Sequence, residues 1–314
     1  MLRLTVSTFP NAKALPLWAA LEQGIFARYG LAVRLHETGS SAEQRQALAD
    51  GVLHIVQAAL DNALELVRTG EDVIILMGGE AGMNDFIVRP GIGSFAELAG
   101  QVLAVDSPHT AYALLARKLL ATHGLLLDRD YAFRAVGNGS ARLRALKHDE
   151  SLAGAILNPP FSAEAQLFGL RSLGRLDELV APYQAGGAFA LRRWVAAHEE
   201  AAIGYMAAYI EALGWLTDAA NRADAVGLLC RRLKISQPVA SATHDQICDP
   251  VAGFTPRAKL SRAGFDNMLE IRRQAMGGND REALMRRTID ESLYERALAR
   301  CVAADARGRS DGEE

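Results

Sequence analysis

Cysteine is scarce in this chain: Cys230, Cys248 and Cys301 are widely separated, and no two form a CxxC pair. Such a set makes neither a zinc pattern nor a disulfide framework, and it reads as buried or incidental thiols. No apolar run approaches the ~20 residues that a membrane helix needs. The formal charge is −3, and no basic cluster interleaves with aromatic residues. Polyanions, nucleic acid among them, are therefore not expected as partners. Walker A, GxGxxG, GxSxG and HExxH sequences are all missing. Gly91 and Gly93 lack the third glycine and the strand-to-helix setting of a dinucleotide loop. The histidines, at 36, 54, 109, 123, 148, 198 and 244, are spread so that none pairs at metal-ligand spacing on one helix. Neither a metal nor a cofactor is expected.

The start of the chain also lacks something. Met1 is followed within one residue by strand-like LRLTVST, with no charged n-region, apolar h-region or small-residue cleavage site. Two locations are consistent with this: periplasmic if a signal peptide was removed, cytoplasmic if Met1 is the native start.

What is present is enough apolar residue for two cores: half of 314 residues, a length that suits two lobes better than one. The most informative stretch is 14–35, ALPLWAALEQGIFARYGLAVRL. Leu15, Leu17, Trp18, Leu21, Ile25 and Phe26 recur at helical spacing, which predicts one amphipathic helix. Gly30 stands where a helix needs a left-handed residue to close, and LAVRL then reads as a strand. With LRLTVST before it, the segment is a β-α-β unit opening a parallel sheet. The wording LPLWAALEQGIFARYGLAV resembles the first helix of the solute-binding proteins that serve sulfonate, taurine, nitrate and thiamine-pyrimidine ABC transporters, the SsuA/THI5-like group. More weakly, Phe95, Leu98 and Gly100 resemble a segment of the same family's second lobe. The resemblance implies an α/β chain with a two-lobed type II periplasmic-binding-protein fold. Each lobe is then a mixed, mostly parallel sheet flanked by helices, and the lobes close on a small molecule.

Along the chain, LRLTVST, LAVRLHET, HIVQAAL and the unalternating VIILMGGE read as strands of a first lobe, with helices between them. Ser40 or Ser41 can cap the second helix, and Gln44 stands three residues after Ser41 as in a capping box. NDFIVRPGIGSF, QVLAVDS, YAFRAV and LAGAILNPP carry a second lobe. A helix there starts at Ser107 or Pro108 and ends at Gly124. AGGAFAL returns the chain to the first lobe, and helices follow. The expected division is residues 1–83 plus 185–306 for one lobe and 84–184 for the other, with a disordered polar tail at 307–314. Crossings fall near 83–88 and 184–190.

Open α/β sheets bind ligands outside the carboxyl ends of their strands. Five such places are candidates. Phe9 and Asn11 follow the first strand, one to stack and one to hydrogen-bond. Their PheProAsn resembles a ThrProAsn of the thiamine-pyrimidine group. Gly39, Ser40 and Ser41 offer a helix N-terminus suited to an acidic or phosphate group, or serve only as a cap. Asp61 and Asn62 follow the third strand. Asp61 is an N-cap or a wall residue, and facing the cleft it would repel an anion and favour a neutral or cationic heterocycle. Ser107, His109 and Thr110 flank another helix start, and His109 is the one candidate acid or base should the protein be an enzyme. Asn158 ends the strand before the double proline, a position that the family places across the cleft.

The function implied is capture of a small molecule for an ABC importer, with a permease as partner and a monomeric chain. One alternative is a cytosolic enzyme on the same fold, synthase-like or decarboxylase-like, acting on an aromatic or heterocyclic substrate. Another is a ligand sensor. No cysteine falls near a cleft loop, against the desulfinase relatives. The cysteine-rich segment and the lysine-near-histidine of the thiamine-pyrimidine synthases are not seen either.

Overall fold

The structure is a computed structural model that describes residues 1–277 and 281–310, with side chains described except at 281–282 and 303–310. Two five-stranded sheets form the frame. The first contains β1 (Leu2–Thr8), β2 (Leu31–Glu37), β3 (Ile55–Ala59) and β4 (Val73–Glu80). The second contains β5 (Asp85–Val88), β6 (Val102–Val105), β7 (Ala132–Ala135), β8 (Gly154–Leu157) and β9 (Arg171–Arg175). The chain then returns to the first sheet as β10 (Gly186–Leu191). The spatial orders are β2-β1-β3-β10-β4 and β7-β6-β8-β5-β9.

The two sheets repeat one plan. β1 pairs in parallel with β2 and β3, and β6 in parallel with β7 and β8. The strand that first enters each sheet after a crossing, β5 or β10, is antiparallel to both its neighbours. Four of the five strands in each sheet therefore run the same way, and one runs against them. The unalternating VIILM of β4 reflects burial on both faces, not pairing with a parallel neighbour, because β4 hydrogen-bonds β10. β9 was not expected from its sequence: RSLGR is short, polar and glycine-containing, and it takes its place as an edge strand through β5.

The first helical segment is broken, not continuous. It runs Leu15–Glu22 and Ile25–Arg28, split at Gly24 with φ 65°. Nor is it amphipathic in place, since every residue from Leu15 to Ala20 is buried. It packs against the long helix Glu199–Thr217, in one apolar cluster with Leu4 and Val6 of β1. Helix starts follow expectation in part. Ser40 caps the helix Ser41–Ala49 by accepting from the Glu43 N–H at 3.3 Å. Gln44, the expected partner in a box, is buried instead and donates its amide to Ser7 Oγ on β1 at 2.9 Å. The helix after β6 begins at Ala111, and Ser107–Thr110 is a turn before it. The last helix runs Ser292–Ser310, and residues 311–314 of the expected disordered tail lie outside the described residues. No described helix is long and apolar enough to cross a membrane.

The sheets are joined at Glu80–Asp85 and again between β9 and β10. The two crossings hold each other: the Glu80 carbonyl accepts from the Ala185 N–H at 3.0 Å and the Gln184 amide at 3.3 Å.

Candidate functional site

The carboxyl ends of β1, β3, β4, β6 and β8 open onto a cavity of about 140 Å³ between the sheets. From the first sheet's side come Phe9–Asn11, Lys13, Ser41, Gln57, Asp61, Asn62 and Glu80; from the second come Asp106, Thr110, Tyr112, Gly139, Ser140, Arg142, Asn158 and Phe161. Tyr183 comes from the return crossing, Tyr209 from the long helix, and Phe254 from the loop beyond. The two sides touch at the rim, where the Ala12 N–H donates to the Pro159 carbonyl at 3.1 Å.

Of the candidates named from sequence, Phe9, Asn11, Ser41, Asp61, Asn62, Thr110 and Asn158 line this cavity; Gly39, Ser40, Ser107 and His109 do not. Asn11 spends its side-chain oxygen locally, accepting from the Lys13 N–H at 2.9 Å to cap a short turn of 3₁₀ helix. Asn158 donates to the Pro159 carbonyl at 3.2 Å. Ser107 serves the turn, its carbonyl taking the Thr110 hydroxyl at 2.9 Å. His109 is exposed, so the expected acid or base stands outside the cavity. Neither cysteine nor histidine is among the lining residues.

Asp61 is buried, but its charge is answered. Arg272 donates to its Oδ1 at 2.7 Å and also bonds Glu65. Burial raises the Asp61 pKa, and the guanidinium opposes that shift. The expected repulsion of an anion by Asp61 therefore does not hold, because the carboxylate already belongs to an ion pair.

The residues that sequence reasoning missed carry most of the site's charge. Lys13 is ion-paired with Glu80 at 2.6 Å and lies 3.4 Å from the Tyr112 hydroxyl. Burial works against its protonation, but Glu80 and Tyr112 outweigh it and the pKa is raised. Gln57 accepts from the Tyr205 hydroxyl at 3.1 Å and donates to that of Tyr209 at 3.4 Å, a polar chain that runs from the cavity wall into the core. Arg142 is only 2% exposed. It donates to the Gly137 carbonyl at 2.7 Å, and its guanidinium lies 5.6 Å from the Tyr112 ring centre. Burial lowers its pKa, partly offset by Tyr112 and Asp106. No carboxylate reaches it within ion-pair distance among the described residues. A signal for Arg142 was present in GNGSARLRALK. It lies on the face of Gly139, Leu143 and Leu146, all buried, whereas Arg144 points away and is exposed.

Gly139 has a steric reason to be glycine. A Cβ there would lie 2.5 Å from the Phe161 ring and 2.8 Å from Asn158 Oδ1. The helix Gly139–His148 can thus bring its first turn to the cavity only without a side chain at that point. Elsewhere, Cys248 lies 3.5 Å from the His244 ring, but burial pushes its thiol up to about 12, which makes it a poor nucleophile. No group of three or more metal-ligating side chains occurs among the described residues.

A family model described as "NMT1-like family" matches residues 2–230. No curated protein matches the chain significantly in sequence. Solved structures do match in shape. The ligand-binding component of an ABC-type import system from Staphylococcus aureus, with zinc bound, has a TM-score of 0.78 at 13% identity, covering 95% of this chain and 99% of that one. The periplasmic nitrate-binding protein NrtA from Synechocystis PCC 6803 has 0.77 at 16%, covering 95% and 88%. The alkanesulfonate-binding protein SsuA from Xanthomonas axonopodis pv. citri, bound to MOPS, has 0.73 at 19%, covering 89% and 94%. Identities this low speak for the fold, and the fold is that of the two-lobed periplasmic binding proteins.

Proposed function

The chain belongs to the NMT1-like family, and from that premise we propose that it is a substrate-binding protein that captures a small acid between its lobes for an ABC importer. The observation that carries this reading is Arg142: a buried cation on the cavity wall that bonds one backbone carbonyl, lies over the Tyr112 ring and has no carboxylate within ion-pair distance among the described residues. Leaving a charge buried without a counter-charge is costly, and an acidic ligand would supply the counter-charge. The first turn of the helix Gly139–His148 adds N–H groups from Gly139 and Ser140 to the same wall.

Other features support reversible capture in preference to turnover. The cavity is shared by both lobes, and a ligand touching each would hold them together. Lys13 and Glu80 neutralise one another, as do Arg272 and Asp61. Asp106, also on the wall, is only partly buried, so solvent screens it more than Arg142. His109, the one residue offered for acid–base work, is outside. On this reading the permease is the protein partner, the working compartment is the periplasm, and the chain acts as a monomer. The test is a thermal-shift screen of the full chain against sulfonates, carboxylates, nitrate, pyrimidines and flavins. Acids should raise the melting temperature, and Arg142→Gln should abolish that rise. Stabilisation by neutral or cationic compounds alone would overturn the acid. Product formation from a stabilising compound would overturn the transport role.

A further inference from the structure

We infer that the acid this cleft selects is built on a single aromatic ring. This rests on the cleft being a ligand site for an acid, and it concerns what carries the acidic group.

Three features of the cavity converge on a flat, ring-sized body. The first is its walls. Phe9, Tyr112, Phe161, Tyr183, Tyr209 and Phe254 all line it. They are six of the 29 lining residues, in a chain that is 6% aromatic overall. Aromatic side chains offer ring faces and edges to a ligand ring, in stacked or edge-on arrangements that aliphatic ligands cannot exploit.

The second is the floor. Gly79, Gly186 and Gly187, on the adjacent strands β4 and β10, line the cavity together with Ala58, Ala59 and Ala185. A Cβ at Gly187 would lie 2.4 Å from the Met77 carbonyl, and one at Gly79 would lie 3.3 Å from that of Gly186. Small residues at these six positions leave room for a ligand body beside the Glu80 carboxylate, whose Oε1 would lie 2.8 Å from a Cβ at Gly186.

The third is size. The cavity holds about 140 Å³, and a protein cavity of about 150 Å³ takes one benzene. A ring of six atoms fits that space. At one side Arg142 meets the acidic group, with the Tyr112 ring centre 5.6 Å from the guanidinium. The aliphatic sulfonates and nitrate named for the structural neighbours would leave the ring space empty or wet.

The experiment is titration calorimetry on the full chain near pH 7. The panel is benzoate, benzenesulfonate and nicotinate as ring acids. Cyclohexanecarboxylate serves as a puckered acid of the same size, benzamide as a neutral ring, and taurine and nitrate as acids without a ring. The ring acids should bind about 10- to 100-fold tighter than cyclohexanecarboxylate and benzamide, the range expected for loss of ring contacts or of a charged hydrogen bond. Arg142→Gln should remove most of the gap between benzoate and benzamide. Because a buried arginine can matter for folding, Phe161→Leu provides a second reading, with benzoate falling toward cyclohexanecarboxylate. If taurine, nitrate or cyclohexanecarboxylate binds as well as the ring acids or better, the ring is wrong and the acid site stands. If benzamide alone binds, or nothing in the panel does while a neutral compound from the wider screen does, both the ring acid and the acid reading fall.

Discussion

Lys13 Nζ and Glu80 Oε1 lie 2.6 Å apart across the floor of the cleft, tying the loop after β1 to the end of β4. The second oxygen of Glu80 accepts the N–H groups of Gly82 at 2.7 Å and Met83 at 3.2 Å, inside the first crossing. One carboxylate therefore neutralises the cleft's lysine and fixes the path by which the chain leaves the first sheet.

Glu80→Gln should destabilise the protein by about 1–3 kcal/mol, because it leaves Lys13 charged and without its carboxylate in a partly buried place. The double variant Lys13→Met/Glu80→Leu should be the more stable of the two, since neither charge is then buried. Urea unfolding of both variants checks this, and equal stability of Glu80→Gln and wild type would show that the pair is better solvated than its geometry suggests.

Alkaline pH should weaken the fold. Lys13 has a raised pKa in the folded chain, with burial opposed and outweighed by Glu80 and Tyr112. The stabilisation it reports is complete below about 10.4, the unfolded value, and fades as pH rises through the folded one. Burial also raises the phenols of Tyr183, Tyr205 and Tyr209, so the unfolded chain ionises first, above about 10. Both effects have the same sign. Melting temperatures measured from pH 8 to 11.5 should hold steady and then fall steeply beyond about 10; a flat curve would contradict the burial of these groups.

Gly139→Ala should cost about 1–3 kcal/mol and weaken ligand binding, because the new methyl collides with the Phe161 ring and Asn158. Ser140→Ala, one residue on, should leave stability near wild type. Melting curves and one ligand titration on the pair decide between a steric role for Gly139 and a backbone one.

Closure is readable at Gln246. Its amide donates to Asp85 Oδ2 at 2.8 Å, and its carbonyl oxygen accepts from Ser162 Oγ at 3.2 Å. The helix Gln237–Ile247 is thereby joined to two elements of the second sheet's lobe. Gln246→Ala should give a larger radius of gyration in ligand-free small-angle scattering, and ligand should restore compaction. Identical profiles for variant and wild type would show that these bonds do not hold the lobes.

The parts of this architecture that were legible in the sequence are those written locally. The run from Leu15 to Val33 has its helix formers, its two glycines and its following strand within one stretch. Even so, burial on all sides and the break at Gly24 depended on the helix Glu199–Thr217 packing over it. Ser40 was legible as a cap, while Gln44 was drawn away by a serine 37 positions earlier. The loops that reach the cavity followed from strand order. Which side chains face it did not: Lys13 and Glu80 are 67 residues apart, and nothing near either announces the other. Arg142 was discernible from its phase with Leu143 and Leu146, but a cationic side chain on an apolar face is easily taken for one that reaches out to solvent.

The placement of β10 also bears on how the chain acquires its shape during synthesis. β3 and β4 do not pair with each other; β10 stands between them. Until residues 186–191 have emerged from the ribosome, β4 has no hydrogen-bonded neighbour in its sheet, though more than a hundred residues have been made since it was. In the second sheet, whose strands all lie between Asp85 and Arg175, the wait is shorter: β5 gains its first partner once β8, Gly154–Leu157, has been made. The lobe that begins first is thus the one completed last, and its unpaired apolar strand is what a chaperone would have to shield in the meantime.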